Sequence, residues 1–335
     1  MEVCQEMQEL RLSVVTAIRN LVEGHRVDMI RRCIESVRCQ KVSGGVEHII
    51  ADGASTDGTL DLIREYVTNA DADGGSLRYC LRLVSRKDRQ VFEGMNNGLA
   101  EARGKYVIFL NSDDYFCGTN ELEKSLCLFD REDADVGYAD TYLYRPGKKY
   151  CRRHHSDINK LPFADHFIHQ SMVTRTDVIR QFGGFDLSQE GTCLENDLTM
   201  RLLKANKKFI RSPYCFCAYS LDGMTGRGIG LRSRHPDIFL KHYGTDMGLS
   251  LEECIGLRYF KGISDWDESK CRVVLKKLEP HPEWATIWHR QIKLHFKNGR
   301  RILPPFWYRA KCRWEVLGLE GILESVTRRV RCSMT

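Results

Sequence analysis

The sequence predicts an α/β fold with a mostly parallel β-sheet flanked by helices. Two patterns in the first 115 residues indicate it: apolar runs of strand length alternate with segments of helical spacing, and the runs end at polar or acidic residues. A strand, a helix and a second strand in close succession require a right-handed crossover between parallel strands. Because 335 residues exceed a usual single domain, we expect one α/β domain over residues 1–225 and a mainly helical extension over residues 226–335.

The first strand–helix–strand unit begins with the β-branched run LSVVTAI, residues 12–18, which is typical of a buried strand. Residues 27–40 then place apolar side chains at helical spacing. A second strand over residues 46–51 follows, and it delivers Asp52 at its carboxyl end.

Residues 52–59, DGASTDGT, form a loop of small residues that permits close approach of the backbone to a nucleotide. Polar residues in this loop can cap a helix over residues 60–67. We expect an Asp/Gly-rich loop over residues 68–76 and a third strand over residues 77–84. The segment lacks the glycine patterns of dinucleotide sites and phosphate loops, so neither of those mechanisms applies.

The stretch KYVIFLNSDDYF, residues 105–116, carries the strongest functional signal. A predicted helix over residues 91–102 precedes it, and the apolar residues 106–110 predict a strand buried on both faces. Asp113 and Asp114 follow this strand, where the ligand crevice of an open α/β sheet lies. Adjacent carboxylates repel each other unless a cation neutralises them, and divalent ions take oxygen ligands. The pair indicates a metal site, with a solvated turn as the alternative.

Composition argues against several other classes of protein. The net charge of +6 is too small to indicate nucleic-acid binding by itself. The 14 cysteines are scattered without a Cys-x-x-Cys pair, so a structural zinc site is not expected. The N-terminal residues lack a signal-peptide core, and no apolar run reaches the roughly 18 residues of a membrane span. We therefore expect a cytoplasmic protein with free thiols and no nucleic-acid partner.

Several short motifs follow one another in the first half of the chain. They are TAIRN at 16–20, DGASTDGT at 52–59, SRKD at 85–88, MNNG at 95–98, ARGKY at 102–106 and NSDD at 111–114. In this order they resemble the family 2 glycosyltransferases, which have a GT-A type, Rossmann-like sheet and move a sugar from a nucleotide diphosphate. The subgroup resembled makes bacterial surface polysaccharides and usually shows S-E-K-D-x-G-I-Y-D-A-M-N-K-G. Arg86 and Gln90 depart from that pattern.

A second set of motifs, over residues 169–206, resembles the acceptor half of the same family. Residues 183–186 match its G-G-F-D turn, and Asp197 followed four residues later by Arg201 matches its D-x-x-x-R. The family's adjacent Glu-Asp pair is altered, because one residue separates Glu195 from Asp197. The resemblance makes Asp197 the expected catalytic base and Glu195 the second choice.

The resemblance also implies the other site residues. Asp114 is the first choice as the direct ligand of Mn²⁺ or Mg²⁺ in a DXD-like motif, with Asp113 binding the ribose or a metal-bound water; which of the two aspartates contacts the ion directly stays open. His169 and Gln170 are expected to line the acceptor cleft. The residues implied for donor binding are Thr16, Asn20, Asp52, Asp88 and Asp113.

The chemistry follows from the same residues. An acceptor hydroxyl is a poor nucleophile at neutral pH and needs a base within about 3 Å. A single base opposite the leaving group implies in-line displacement and inversion, since a covalent intermediate would need a second nucleophile. The resemblance implies a hexosyltransferase-type enzyme that transfers a sugar, with UDP as the expected nucleotide, to a glycan or polyprenyl-linked acceptor in surface polysaccharide synthesis. A sugar-phosphate nucleotidyltransferase and a catalytically degenerate, nucleotide-sugar-binding assembly module stay open as alternatives.

The C-terminal part carries two further signals. The glycine-rich segment 220–230 resembles the family's flexible G-G-x-S loop. From His281 onward basic residues outnumber acidic ones among several aromatic residues, which favours contact with an anionic membrane surface. An apolar stripe over residues 316–330 could instead dock on the catalytic domain or a second subunit. We expect peripheral contact with the inner face of the cytoplasmic membrane, and the oligomeric state stays open.

Overall fold

A computed structural model shows the fold. It describes residues 10–72, 79–145, 151–153, 168–188, 193–222, 235–258 and 266–281. Within these ranges, no helix is both long enough and apolar enough to cross a membrane. Ten cysteines within these ranges are free thiols. The chain divides into two compact units, of which the first holds the β-sheet and the second holds the helices from residue 235 onward.

The sheet has nine strands in the described residues. In chain order they are β1 Leu12–Ile18, β2 Val46–Asp52, β3 Tyr79–Ser85, β4 Tyr106–Phe109, β5 Tyr115–Phe116, β6 Val136–Tyr144, β7 Cys151–Arg153, β8 Met172–Arg175 and β9 Phe209–Ser220. Their hydrogen-bonded order is β3-β2-β1-β4-β8-β6-β9-β5, and β7 pairs with β6.

The helices lie between these strands and after the last of them. They are α1 Val27–Arg38, α2 Thr59–Ala72, α3 Val91–Glu101, α4 Glu121–Arg131, α5 Thr176–Gln181, α6 Leu194–Lys204, α7 His235–Phe239, α8 Leu251–Arg258 and α9 Glu268–Leu278.

The first half of the sheet confirms the predicted parallel order. β1 pairs in parallel with β2 and β4, and β2 pairs in parallel with β3. Every residue of β2 and β4 is buried, as expected for strands covered on both faces. The predicted loop over residues 68–76 is wrong at its start, because α2 continues to Ala72. Alanines at positions 70 and 72 favour that extension.

The second half of the sheet is mixed. β8 lies between β4 and β6 and runs antiparallel to both, whereas β6 and β9 are parallel. Because β8 runs against β4, with Val173 opposite Ile108, the residues just before β8 lie at the carboxyl end of β4. Helix α4 packs closely on this half, since a Cβ at Gly137 of β6 would lie 2.2 Å from the ring of Phe129.

From residue 235 onward, the regular elements of the second unit are helices in the described residues, which agrees with the predicted C-terminal extension. A capping box begins α8: the Ser250 N–H donates to Glu253 Oε2 at 2.7 Å, and the Glu253 N–H donates to Ser250 Oγ at 3.2 Å. Lys277 of α9 pairs with Glu253 at 2.9 Å, which joins the two helices. The domain boundary at residue 225 stays a prediction. The unit has its own apolar core, made of Phe239, Met247, Leu249, Cys254, Leu257, Trp266, Cys271, Val274 and Leu278.

Candidate functional site

Two adjacent aspartates lie at the carboxyl end of β4. Asp113 and Asp114 connect β4 to the short strand β5, which pairs antiparallel with the end of β9. This pairing brings Ser220 against Asp114, and the Ser220 N–H donates to Asp114 Oδ1 at 2.7 Å. Asp114 is 1% exposed. Its Oδ2 is buried and has no hydrogen-bond partner among the described residues.

The charge on Asp114 is poorly stabilised without a cation. Burial raises the pKa of Asp114 well above its ordinary value, and the neighbouring Asp113 carboxylate raises it further. The Ser220 N–H and the side chains of Asn111 and Gln170 lower the pKa, but they only partly offset the burial. A divalent cation would relieve both causes, because it brings positive charge and takes oxygen ligands.

The two carboxylates of the acid pair suit a cation that is also bound by oxygen atoms of a substrate. In the described part of the chain, no group of three or more His, Cys, Asp or Glu side chains could hold a metal ion. Mg²⁺ in particular is commonly held by one or two carboxylates together with phosphate oxygens and water. Asp113 and Asp114 therefore fit a cation bound jointly with a diphosphate.

A cluster of one arginine and two tyrosines, which sequence reasoning missed, supports the acid pair. The Arg32 guanidinium of α1 lies 4.5 Å from the ring centroid of Tyr115 and 4.8 Å from that of Tyr144. Arg32 donates to the Tyr144 hydroxyl and, at 3.4 Å, to the carbonyl oxygen of Asp113. The Tyr144 hydroxyl donates to the same carbonyl at 2.5 Å. Because these contacts join distant parts of the chain, no local pattern in the sequence indicates them.

The loop after β2 is fixed by polar contacts with the end of β1. Asp52 accepts hydrogen bonds from the Ser55 N–H at 3.1 Å and the Ser85 hydroxyl at 2.8 Å. Asn20 has φ of 46°, a left-handed conformation that asparagine tolerates. Its N–H donates to Ser55 Oγ at 2.9 Å, and its Oδ1 accepts from the Thr56 N–H at 3.1 Å. The structure thus joins the predicted donor residues Asn20 and Asp52 in one network at the carboxyl edge of the sheet.

Asp88, another predicted donor residue, lies against the same loop. A Cβ at Gly53 would lie 2.5 Å from Asp88 Oδ1, and a Cβ at Gly94 would lie 2.8 Å from Asp88 Oδ2. At both positions, the absence of a side chain permits this close approach. Burial raises the pKa of Asp88, and Arg19, at 3.7 Å, partly opposes that change.

Thr16 differs from these residues because it is fully buried within the sheet. Its hydroxyl is hydrogen-bonded to His48 Nε2 at 2.8 Å and lies 3.8 Å from Cys33 Sγ. Burial lowers the pKa of His48 to about 3, so this ring is neutral at pH 7. These contacts join β1, β2 and α1, and the role of Thr16 in donor binding stays a prediction.

His169 and Gln170 lie in a 3₁₀ turn, His169–Ser171, directly before β8. The antiparallel pairing of β8 with β4 places this turn at the same sheet edge as the acid pair. Burial lowers the pKa of His169 to about 4, so its imidazole is neutral at pH 7. The structure therefore brings these two predicted residues to the edge of the sheet where the donor residues lie.

Asp197 lies in the first turn of α6 and is 1% exposed. Arg201, one helical turn later, donates from Nε to Asp197 Oδ2 at 2.8 Å. The two terminal nitrogens of Arg201 donate to the carbonyl oxygens of Phe182 and, at 2.6 Å, Gly184. The D-x-x-x-R motif thus fixes the Asp197 carboxylate relative to the G-G-F-D turn.

Asn96 of α3 anchors that turn. Its side chain accepts from the Phe185 N–H at 2.9 Å and donates to the Phe185 carbonyl oxygen at 2.8 Å. The Phe185 ring packs against Phe92 and Phe109, with centroids 5.0 Å and 4.9 Å away. Gly184 has φ of 67°, and a Cβ there would lie 2.5 Å from Asn96 Oδ1. Asn96, the first asparagine of the M-N-N-G motif, therefore positions the G-G-F-D turn. The Gly184 carbonyl oxygen of this turn accepts a hydrogen bond from Arg201.

Other predicted positions are less fully described. Glu195 and Asp197 are two residues apart in α6, so their side chains point to different faces of the helix, about 200° apart. Arg201 binds the Asp197 carboxylate of this helix. Of the glycine-rich segment 220–230, residues 223–230 lie outside the described residues, and so does the basic tail after His281.

A parallel βαβ half, an antiparallel strand β8 beside it and an acid pair at the carboxyl edge together define the GT-A class of fold. The chain belongs to glycosyl transferase family 2. Its residues 13–188 match the family described as "Glycosyl transferase family 2", which is more than half of the chain. This match confirms the family that the motifs indicate.

A curated relative agrees with the family, and two solved structures agree with the fold. A "PGL/p-HBAD biosynthesis glycosyltransferase" of Mycobacterium bovis is 25% identical over 162 residues, which cover 46% of this chain and 57% of that protein. The alignment thus spans less than two thirds of the relative's length. S. aureus TarS in complex with UDP-GlcNAc has a TM-score of 0.55 at 15% identity, over 95% of this chain and 92% of that chain. The mannosyltransferase PcManGT from Pyrobaculum calidifontis, in complex with GDP-Man and Mn²⁺, has a TM-score of 0.54 at 14% identity, over 94% and 87%.

Proposed function

We propose that this chain is an inverting, divalent-metal-dependent glycosyltransferase. It transfers a sugar from a nucleotide-diphosphate donor, with UDP as the expected nucleotide, to a hydroxyl group of a glycan or lipid-linked acceptor. The observation that carries the proposal is the state of Asp114. One oxygen of this buried carboxylate is fixed by Ser220, and the other has no partner among the described residues.

The comparisons support the donor and the metal in general terms. The family is one of glycosyl transferases. S. aureus TarS was solved with UDP-GlcNAc, and PcManGT was solved with GDP-Man and Mn²⁺. In this chain Asp114, together with Asp113, would hold Mn²⁺ or Mg²⁺. When bound, the cation supplies positive charge for the diphosphate that leaves.

The residues proposed to bind the nucleoside part of the donor are already ordered. Asn20, Asp52 and Asp88 are held by the contacts between the ends of β1 and β2. A site that is ordered before binding loses less conformational entropy when the ligand arrives. We assign these side chains to recognition of the base and ribose. Because they are already held in place, little conformational entropy is lost there when the donor binds.

Asp197 is the proposed catalytic base. It would take the proton of the acceptor hydroxyl as that oxygen bonds to the anomeric carbon and the bond to the diphosphate breaks. Attack from the face opposite the leaving group inverts the anomeric configuration. Arg201 is the positioning residue, because it binds Asp197 and the turn at the same time. His169 is assigned to the acceptor side.

The proposed cellular setting is the synthesis of surface polysaccharide at the cytoplasmic face of the membrane. The resemblance in sequence and the basic tail after His281 support this setting. Because the tail lies outside the described residues, the support comes from its composition alone.

A thermal-shift screen tests the donor and the metal. The melting temperature is measured with UDP, UDP-glucose, UDP-GlcNAc and GDP-mannose, with Mn²⁺ and with EDTA. A ligand present at about 100 times its Kd stabilises the folded state by about 2.7 kcal/mol, which such a screen detects. We expect stabilisation by at least one nucleotide sugar in Mn²⁺ that EDTA removes. A protein that binds none of them would refute the proposal.

Asp197→Asn tests the chemistry with the donor found in that screen. We expect donor binding to stay and transfer to fall by about 10²–10⁴-fold, the usual contribution of a general base. Glu195→Gln is the matched control and should retain transfer. Release of pyrophosphate from sugar phosphate and nucleoside triphosphate would favour a nucleotidyltransferase instead. Binding without transfer or hydrolysis would favour an assembly module.

A further inference from the structure

The Asp88 carboxylate is 6% exposed and accepts no hydrogen bond in the described part of the chain. The Arg19 guanidinium lies beside it, but Arg19 Nη1 is 3.7 Å from Asp88 Oδ1, which is too far for a hydrogen bond. Burial raises the pKa of Asp88, and the charge of Arg19 opposes that change without a hydrogen bond to the carboxylate. A buried charge in this state destabilises the folded protein, so native structures rarely keep one unless a ligand completes it.

Asp52, the other predicted donor carboxylate beside this loop, is in the opposite state. Its Oδ1 accepts from the Ser55 hydroxyl. Its Oδ2 accepts from the Ser55 N–H at 3.1 Å and from the Ser85 hydroxyl at 2.8 Å. These bonds hold the loop in place and occupy both oxygens of Asp52. Of the two carboxylates, Asp88 is therefore the one with capacity for a ligand that donates a hydrogen bond.

The position of Asp88 matches that of the base in a bound nucleotide. Its oxygens approach Gly53, which directly follows β2, and β1 separates β2 from β4 in the sheet. Neighbouring strands are about 4.8 Å apart, so the ends of β2 and β4 are about 10 Å apart. In a nucleoside diphosphate the ribose separates the base from the diphosphate. A diphosphate bound with a cation at Asp113 and Asp114 therefore places the base, rather than the ribose, at Asp88.

Arg19 narrows the chemistry of the ligand. Its side chain is 54% exposed, and its Nη1 donates to the Asp88 carbonyl oxygen at 3.3 Å. The Arg19 carbonyl oxygen accepts from Arg26 Nη2 at 2.9 Å, which fixes the backbone at this position. A cation at Asp88 would be repelled by Arg19, and a phosphate would be repelled by Asp88. The pair instead suits a neutral group that presents an N–H to the carboxylate and a neighbouring carbonyl oxygen to the guanidinium.

Nucleobases differ in that edge. Uracil and guanine each carry a ring N–H beside a carbonyl oxygen. Cytosine and adenine instead carry a ring nitrogen without hydrogen beside an amino group. That arrangement would set a lone pair against Asp88 and amino hydrogens against Arg19. A site with these two charges therefore attracts the first pair of bases and repels the second.

We propose that Asp88 and Arg19 are specificity-determining residues that select a uracil or guanine nucleotide as the donor. This inference rests on the proposed function and deepens it, because it names the class of base. Asp88 accepts from the ring N–H and Arg19 donates to the adjacent carbonyl oxygen, while Asp52 holds the loop. A comparison of UDP with GDP distinguishes the two bases that share this chemistry.

Asp88→Asn tests the inference, because the amide keeps the shape of the carboxylate and replaces one acceptor with a donor. The affinities of UDP, CDP, GDP and ADP are measured by calorimetry in Mn²⁺. We expect wild type to prefer UDP to CDP, or GDP to ADP, by at least about tenfold. In the variant the preferred nucleotide should lose about tenfold to hundredfold, the effect of one hydrogen bond to a charged group. Its amino counterpart, CDP or ADP, should bind equally well or better, because the amide can donate to its ring nitrogen.

Stability separates this role from a structural one. Without ligand, Asp88→Asn should melt at or above the wild-type temperature, because it lacks a buried charge without hydrogen bonds. Asp57→Asn is the matched control in the same loop. Asp57 accepts from the Glu23 N–H at 2.7 Å and from the Thr59 hydroxyl at 2.6 Å. This control should melt at a lower temperature and keep the wild-type ratio of UDP to CDP affinity.

Arg19→Met is a second variant, at an exposed position, that serves if Asp88→Asn does not fold. It removes the donor to the carbonyl oxygen of the base. We expect the preferred nucleotide to lose about tenfold in affinity and its amino counterpart to lose none.

Three outcomes would overturn the inference. One is equal binding of the preferred nucleotide and its amino counterpart by wild type. The second is an unchanged affinity ratio in Asp88→Asn, or in Arg19→Met if the first variant does not fold. The third is an equal loss for all four nucleotides in Asp88→Asn, which would assign Asp88 to the ribose. If wild type binds no nucleotide, the proposed function fails and this inference fails with it, whereas binding without preference among the bases refutes this inference alone.

Discussion

Replacement of Asp114 by asparagine tests the electrostatic argument for the acid pair, because Asp114→Asn removes the charge and keeps the shape. Burial and Asp113 raise the pKa of Asp114 in the folded protein above its ordinary value of 3.8. The metal-free folded protein therefore binds a proton at Asp114 more tightly than the unfolded chain does. The free energy of unfolding of the metal-free protein therefore falls as the pH rises from the ordinary pKa of Asp114 through its higher pKa in the folded state. At neutral pH the charge on Asp114 thus destabilises the metal-free protein, and the asparagine variant lacks this penalty.

The size of the effect follows from the unpaired oxygen. A buried group without a hydrogen-bond partner costs about 1–3 kcal/mol, and more when it is charged. The amide of the variant retains an oxygen for the Ser220 N–H and keeps only the smaller cost of a neutral group. We therefore expect the variant to be more stable by about 1–2 kcal/mol without metal. For a domain of about 200 residues this corresponds to a rise in melting temperature of about 2–8 °C.

The assay is thermal unfolding at neutral pH, first in EDTA and then with Mn²⁺ and the nucleotide sugar that stabilises wild type. Asp140→Asn is the matched control, because Asp140 is also 1% exposed but pairs with Arg211 at 2.8 Å. In EDTA, Asp114→Asn should melt above wild type and Asp140→Asn below it. With metal and donor, only Asp114→Asn should lose the stabilisation. If both variants melt below wild type in EDTA, or if Asp114→Asn keeps the metal-dependent stabilisation, the reasoning is wrong.

Other contacts make further predictions. Arg201→Lys should lower transfer more than about tenfold without weakening donor binding, because lysine cannot bind Asp197 and the turn carbonyls together; full activity in a transfer assay would contradict this. Tyr144→Phe should weaken Mn²⁺ binding several-fold in a metal titration, since the Asp113 carbonyl loses its 2.5 Å hydrogen bond; an unchanged titration would exclude that role. Burial lowers the pKa of His48 in the folded protein. The contribution of His48 to the free energy of unfolding is therefore fully present above about pH 6.5 and is lost as the pH falls toward 3. Urea unfolding should show about 2 kcal/mol lost between about pH 7.5 and pH 5, and His48→Gln should lack that part of the loss.

The part of the fold that the sequence predicts is the part built from local patterns. β1, β2 and β4 are short segments rich in apolar or β-branched residues, and nearly every residue in them is buried, so a short window contains the signal. The sequence predicts the acid pair because the two aspartates directly follow such a segment. Strands β6, β8 and β9 were not predicted, because their places in the sheet depend on pairings with distant segments rather than on their own sequences.

The same limit applies to the candidate site. Asn96 was part of a recognised motif, but its contact with Phe185 spans 89 residues and becomes visible only in the structure. The support that Arg32 and Tyr144 give to Asp113 spans 81 and 31 residues. Each of these side chains is an ordinary helix or strand residue in its local sequence. Motifs therefore identify the groups that meet the ligand, while the groups that orient them need the tertiary fold.

The second half of the sheet gives the acid pair its chemical character. At the edge of a simple parallel sheet, the NSDD segment would be a solvated turn with ordinary acidity. Here β5 pairs with β9, and the N–H of Ser220, 106 residues later, reaches Asp114. Strand β8, inserted beside β4, brings Gln170 to the same edge. These strands exclude water from Asp114 while leaving Oδ2 without a partner among the described residues, which is the state that favours binding of a cation. The NSDD motif is weak evidence by itself. The antiparallel pairings of β8 with β4 and of β9 with β5, which later parts of the chain supply, turn it into a candidate cation site.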